Sequence, residues 1–386
     1  MASMTAHLMN PAPSAMELSS EELAENKRYG QLELACGLAD KFIDLAFLSL
    51  MAFLIAPQLR LPMSEWVHTG TMQLVAFFGL TMLLHVVVSF PLTCYSGHVL
   101  EHQFKLSNLS FSGWFSRYLM QLGLSVVFLT LMFVGLYWTI WIFGKWWWLV
   151  GAGAFFVVNV LAGQLLPVLI LPLFYKIEKL NRPDLADRIR HIAEGTGLSI
   201  EGVYRMDLSV ETVKANALLA GLGHTRRVLL GDTALESFTP EELEVIFAHE
   251  IGHHVHRHTS KTMLIGVLYS AIGFWLCDRI VMTWAQAFEP LTTYRTLPAF
   301  TLPMMMLVLW AFTMLLEPLV NAISRHFERQ CDRYALQKTG LVMAYISAFR
   351  KLARLNKDDP NPHPLEVFLF HSHPPIAERL AMAECV

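Results

Sequence analysis

Six runs of apolar residues, near 38–57, 70–92, 117–143, 147–172, 262–283 and 298–320, are each long enough to cross a bilayer. They commit the chain to a multi-pass membrane protein dominated by α-helix, with about six transmembrane helices. The overall balance agrees: 54% of residues are hydrophobic and 16% charged, too apolar for an ordinary soluble protein. Pro167 and Pro172 break the fourth run, which is expected to kink or end early there. Trp146, Trp147 and Trp148 at its start suit an interfacial anchor. Six spans put both ends of the chain on one side.

Basic residues orient the spans. Lys176, Lys179, Arg182, Arg188, Arg190, Arg226, Arg227 and Arg257 lie between the fourth and fifth runs. Arg325, Arg329, Arg333, Lys338, Arg350, Lys351 and Arg354 follow the sixth, whereas the opposite loops hold mainly Arg60, Lys145 and Arg295. The positive-inside tendency then places both termini and the polar motifs in the cytosol, at a bacterial inner membrane or the endoplasmic reticulum. The chain divides into a flexible N-terminal segment (1–36), four spans within 37–175, a soluble portion (176–261), two spans within 262–320 and a C-terminal portion (321–386). The first 36 residues carry no apolar core flanked as in a signal peptide. Within the soluble portion, 184–198 reads as an amphipathic helix. Five scattered cysteines without a C-x-x-C pair exclude a disulfide framework and a cysteine-based zinc site. A net charge of −3 gives no reason to expect nucleic acid.

The soluble portion carries the chemistry, in Phe247-Ala-His-Glu-Ile-Gly-His-His. His249 and His253 are four residues apart, which on a helix stacks both imidazoles on one face for a single Zn2+ ion. Glu250 falls beside them and can take a proton from an attacking water without occupying a coordination position. Thr239 as N-cap, Pro240 at the first helical position and Glu242 in a capping box start this helix. Leu243, Ile246 and Phe247 anchor it in a core. His254, His256 and His258 continue the histidine run, but no carboxylate sits between them as Glu250 does, so they mark the helix end near the membrane surface.

Two histidines leave a catalytic zinc one protein ligand short. Ser324-Arg-His-Phe-Glu-Arg-Gln-Cys-Asp supplies Glu328 and Asp332 four residues apart. One carboxylate can bind metal while the other supports a ligand histidine from behind. Two solvated charges on a surface helix fit the same spacing. Cys331 between them reads as packing.

The ordered set of H-E-x-x-H, two apolar spans and S-R-x-x-E-x-x-x-D resembles the integral-membrane zinc proteases typified by the type I CaaX prenyl protease. Ala215-Asn-Ala-Leu-Leu-Ala-Gly, Arg227-Val-Leu-Leu-Gly-Asp and Ser372-His-Pro-Pro-Ile-Ala-Glu-Arg-Leu extend the resemblance, which covers about residues 90 to 383. It implies a zincin-like catalytic domain containing a small β-hairpin or sheet, and a water-filled chamber between the helices. It implies His249, His253 and Glu328 as ligands of one Zn2+, Glu250 as catalytic base and Asp332 as partner of a ligand. His373 would donate to the oxyanion, and Asn216 with Ala217 would lie on an edge strand that holds the peptide extended. A turn-forming Asn216 and a surface His373 before a Pro-Pro turn are the plainer alternatives. Gly221-Leu-Gly-His-Thr reads as the hairpin turn. The resemblance also implies a further N-terminal span that this sequence lacks.

The function expected is a zinc endopeptidase acting on a peptide or protein substrate, prenylated or not, in contact with membrane lipids. A bacterial quality-control protease uses the same chemistry. A histidine-bearing membrane metal transporter is the contrasting class, for which Glu250 and the strand motif would have no use. Asp44, His85, Asn159, Gln164, Asp278 and Glu317 fall in or near spans, where polar groups face a partner or a cavity rather than lipid.

Overall fold

The computed structural model describes residues 18–165, 169–198, 200–220 and 226–385. Helix α1 (Ser20–Leu50) passes through a π-helical turn into α2 (Ala56–Trp66), and α3 (Gly70–Cys94) leads to the short α4 (Glu101–Gln103). Helix α5 (Phe111–Phe143) meets α6 (Trp147–Leu165) at Gly144, whose φ of +57° suits glycine best. The chain reverses there, since Leu136 Cδ1 lies 3.4 Å from where a Cβ on Gly151 would stand. Among the described residues five continuous helical segments are long and apolar enough to cross a membrane, 20–66, 70–103, 111–163, 258–288 and 299–339. The six expected runs thus form five segments, because the third and fourth join through the Gly144 turn. Helix α6 is described as far as Leu165 and Pro172 sits in the first turn of α7 (Leu171–Phe174), while Pro167 lies outside the described residues.

Polar groups within these helices find partners. Asp44 bonds His85 at 2.7 Å and accepts from Trp310 at 3.2 Å. Lys41 pairs with Glu317 at 2.8 Å, and buried Asp278 accepts from Trp147 at 2.7 Å. Asn159 instead donates to Phe155 O of its own helix at 2.7 Å, and the Gln164 side chain lies outside the described residues.

The N-terminal segment departs from expectation. Residues 20–36, expected to be flexible, are helical from a Ser19–Glu22 capping box onward. Long-range contacts fix them: buried Asn26 donates to Ala353 O at 3.0 Å and Asp358 O at 2.9 Å, and Arg354 pairs with Glu22. Buried Tyr29 donates to Glu101 at 2.6 Å, and Lys214 joins both.

The soluble portion holds β1 (Ile177–Lys179), α8 (Pro183–Ala193), β2 (Gly202–Met206), β3 (Ala217–Ala220), β4 (Arg227–Gly231), α9 (Asp232–Ser237) and α10 (Pro240–Val255). Helix α8 stops before the expected 198, because the turn after it places Gly195 and Gly197 at positive φ. The sheet runs β1-β2-β4-β3, with β2 and β4 parallel and the other pairs antiparallel. Val203, Val228 and Leu230 pack with Leu185 and Ile189 of α8 and with Leu243, Phe247 and Ile251 of α10 in one core. The expected hairpin turn between β3 and β4 lies outside the described residues.

Helix α11 (His258–Phe288) returns into the membrane, and α12 (Leu302–Thr339) continues 38 residues without interruption. At 1.5 Å per residue α12 is about 57 Å long, nearly twice the ~30 Å hydrocarbon core, so its C-terminal half stands clear of lipid tails. There it crosses α10 at Gly252, where an added Cβ would stand 3.0 Å from the Cys331 Cα. Only glycine admits so close an approach of the two helices. Helices α13 (Val342–Asn356), α14 (Pro364–Phe370) and α15 (Ile376–Glu384) close the fold around α12.

Candidate metal centre

Helix α10 begins as its sequence predicts. Thr239 Oγ1 accepts from Glu242 N at 3.3 Å, and Glu242 Oε2 accepts from Thr239 N at 2.7 Å. The same Glu242 carboxylate takes hydrogen bonds from Ser347 and Lys351 of α13, so the cap also docks the helix. With Leu243, Phe247 and Ile251 buried beneath, His249 and His253 are presented towards α12.

Glu328 and Asp332 are not solvated surface charges: both are buried. One Glu328 oxygen stands 3.1 Å from His249 Nε2 and the other 3.3 Å from His253 Nε2. Asp332 meets the opposite side of His249, its Oδ1 2.9 Å from Nδ1. Arg379 then grips Asp332 with two bonds of 2.6 and 3.0 Å. Burial alone would lower the His249 pKa, but Asp332 at Nδ1, with Glu328 near Nε2, outweighs it and pushes the value up to about 9. A cation binding His249 therefore displaces a proton. Burial likewise opposes the Arg379 charge, yet Asp332 outweighs it and holds the guanidinium above its ordinary pKa.

These donors fit a metal ion. Atoms bound at about 2.0 Å to a tetrahedral centre stand about 3.3 Å apart, the spacing found between Glu328 and the two imidazoles. Glu328 Oε2 is buried and accepts no well-aimed hydrogen bond, although His249 Nε2 and His373 Nδ1 stand 3.1 and 2.9 Å away. Such a buried carboxylate oxygen, facing two imidazoles, suits a metal ion. Cys331 is the competing donor, since its Sγ and one nitrogen of each histidine lie within 4.8 Å of one another. Its thiol faces Gly252 and stands 3.6 Å from His258 Nδ1, on the side of His253 away from Glu328. Glu328 instead faces the Nε2 atoms of both histidines.

The structure thus brings His249, His253, Glu328, Asp332 and His373 together, with half-buried Glu250 on the same helix. Ala217 begins β3, the strand at the end of the sheet that packs on α10, and Asn216 precedes it. Gly231 N donates to Asn216 O at 2.9 Å, so Asn216 and Leu218 belong to hydrogen-bonded pairs with β4. Ala217 and Leu219 therefore turn their backbone groups to the open edge. A cavity of about 680 Å3 opens beside His373, with Gly30, Glu33, Asn356, Asp358 and Arg379 in its wall.

Three positioning residues escaped the sequence reading. Arg379 stood inside a quoted motif with no role, and its place in that motif was its only signal. Arg325 donates to Val367 O and His371 O at 2.8 and 2.5 Å, tethering the segment that carries His373. Asp232, last residue of the Arg227 motif, accepts from Leu208 N, Ser209 N and Thr233 N at 2.8–2.9 Å and fixes the loop leading to β3. Helix α10 ends at Val255, within the histidine run as expected, and His258 at the start of α11 is buried.

Comparison with known proteins identifies the family. Residues 179–385 match the model of peptidase family M48, and residues 2–176 match the CAAX prenyl protease N-terminal model, described as five membrane helices. The chain is similar to CAAX prenyl protease 1 of Saccharomyces cerevisiae, 29% identical over 349 residues, 84% of this chain and 75% of that protein. The uncharacterized metalloprotease YhfN of Bacillus subtilis is 26% identical over 327 residues, 83% of this chain and 76% of that one. The crystal structure of S. mikatae Ste24p shares the fold, with a TM-score of 0.84 at 23% identity over 98% of this chain and 92% of that one. The chain belongs to peptidase family M48, as an integral-membrane metallopeptidase resembling the CaaX prenyl proteases.

Proposed function

We propose that this metallopeptidase is a zinc-dependent endopeptidase that removes the last three residues of prenylated CaaX proteins. The observation that carries the zinc assignment is the pair of Glu328 oxygens, 3.1 and 3.3 Å from the Nε2 atoms of His249 and His253. These three residues would hold one Zn2+, which when bound supplies Lewis acidity and an acidified water. Glu250 accepts the proton of the attacking water and returns it to the leaving amine. His373 donates to the oxygen that gains negative charge. Asp332, backed by Arg379, fixes the ring of His249. The open edge of β3 at Ala217, entered through Asn216, pairs with the substrate backbone in extended form. The substrate reaches the site through a chamber between the helices. The motifs face the cytosol, a reading supported by the basic residues of 176–257 and 325–354.

A second reading keeps the chemistry and changes the substrate. Similarity to a Bacillus subtilis metalloprotease whose name carries no prenyl substrate favours cleavage of unprenylated membrane proteins in quality control. A farnesylated CaaX peptide offered to detergent-purified protein separates the two, beside an unprenylated control and Glu250→Gln. Cleavage after the lipid-bearing cysteine, lost by about 10²–10⁴-fold in Glu250→Gln with metal retained, is expected. Equal cleavage of both peptides would transfer the assignment to quality control, and metal loss in Glu250→Gln would contradict its role as base.

A further inference from the structure

The two ligand histidines are supported from behind by different chemistry. His249 Nδ1 faces the Asp332 carboxylate, whereas His253 Nδ1 stands 3.2 Å from Nδ1 of another imidazole, His258. His258 is only 3% exposed and stacks on Phe327, with ring centroids 4.2 Å apart and planes at 9°. Its Nε2 lies 2.9 Å from Gln330 Oε1, and the Gln330 amide nitrogen lies 3.2 Å from His326 Nε2.

The direction of this chain follows from what each group can do. An amide oxygen only accepts, so His258 Nε2 carries hydrogen and Nδ1 of the neutral ring is its acceptor. That acceptor has one lone pair, taken by the N–H of His253 Nδ1 at 3.2 Å in preference to the weaker Cys331 thiol donor at 3.6 Å. The lone pair of His253 is then on Nε2, 3.3 Å from Glu328 Oε1. The reverse order would put hydrogen on Nε2, facing Glu328, and leave no lone pair on the metal side.

We propose that His258, oriented by Gln330 and Phe327, is a positioning residue that fixes the tautomer and ring plane of His253 for metal binding. It is the neutral counterpart of Asp332, and the inference rests on the metal centre described above. A neutral relay adds no charge where α11 begins its membrane span.

Zn2+ affinity, measured by competition with a chromophoric chelator on the detergent-purified chain, tests this together with the absorption spectrum of the Co2+ form. His258→Phe keeps the ring stack but offers no acceptor, whereas the Oδ1 of His258→Asn stands where Nδ1 stood. Expected is a loss of about 10–100-fold in affinity and altered Co2+ bands for the Phe variant, with the Asn variant within about threefold of the parent. Parent affinity and spectrum in the Phe variant would overturn the proposal, and so would equal losses in both, which mean packing alone. A parent chain that binds no metal would overturn the metal centre and this inference together, while one ion bound equally by parent and Phe variant overturns the inference alone. Thermal unfolding of both apo variants reports whether lost affinity reflects misfolding; a Phe variant that unfolds where the Asn variant does not would likewise count against a tautomer role.

Discussion

On one side of the metal centre His249, Glu328, Asp332 and Arg379 are all buried, whereas on the other the His373 side chain is 62% exposed beside a cavity of about 680 Å3. The buried side has most of its partners in place: Asp332 is met by His249 and Arg379, Glu328 Oε2 is left for the metal, and the helix crossing at Gly252 holds them. The open side is tethered rather than enclosed, since Arg325 and Asn321 grip backbone carbonyls of the segment around His373. The difference separates two tasks. Metal binding relies on charges desolvated during folding, and peptide binding needs backbone groups and space that stay available.

Breaking the buried side should cost most. Arg379→Met leaves buried Asp332 with His249 as its partner and without its guanidinium, so stability should fall by up to about 3–5 kcal/mol, read as the thermal midpoint in detergent. Metal affinity should fall with it. An unchanged midpoint would mean that Asp332 finds another partner. Gly252→Ala tests the crossing itself: its Cβ would stand 3.0 Å from a backbone atom, so a loss of about 1–3 kcal/mol is expected. Reduced metal occupancy should accompany it, and full occupancy would show that α10 and α12 can separate without moving the ligands.

The smallest effect belongs to the substrate side. Burial would raise the Asp232 pKa, but hydrogen bonds from Ser209, Leu208 and Thr233 outweigh it and hold the value below the ordinary one. Its contribution is therefore full above about pH 4 and shrinks as pH falls through the lower folded value. Amide exchange at Leu208 and Ser209, corrected for intrinsic rates, should lose protection below that pH. Asp232→Asn should remove this dependence, and an unaltered profile would mean that the loop is held by other contacts.

What the sequence disclosed was local or repetitive. The Thr239–Glu242 box, the His249–His253 spacing and the apolar runs each lie within a few turns of chain, where helical geometry relates neighbours directly. What it hid was long-range. Asn26 helps fix the N-terminal helix through carbonyls 327 and 332 residues away, so a polar segment that reads as flexible is held by partners no local pattern reveals. Arg379 reaches Asp332 across 47 residues, and Glu328 could be told from a surface charge only once α10 lay across α12. The surroundings of His258 were hidden for the same reason: its ring meets Phe327 and Gln330 on another helix.

The central claim is that Glu328, rather than Cys331, completes the metal site. Elemental analysis of the purified chain beside Glu328→Ala and Cys331→Ala tests it most directly. One zinc per chain in the parent and in Cys331→Ala, with loss in Glu328→Ala, is the result predicted. Zinc retained in Glu328→Ala and lost in Cys331→Ala would contradict the account and move the third ligand to the thiol.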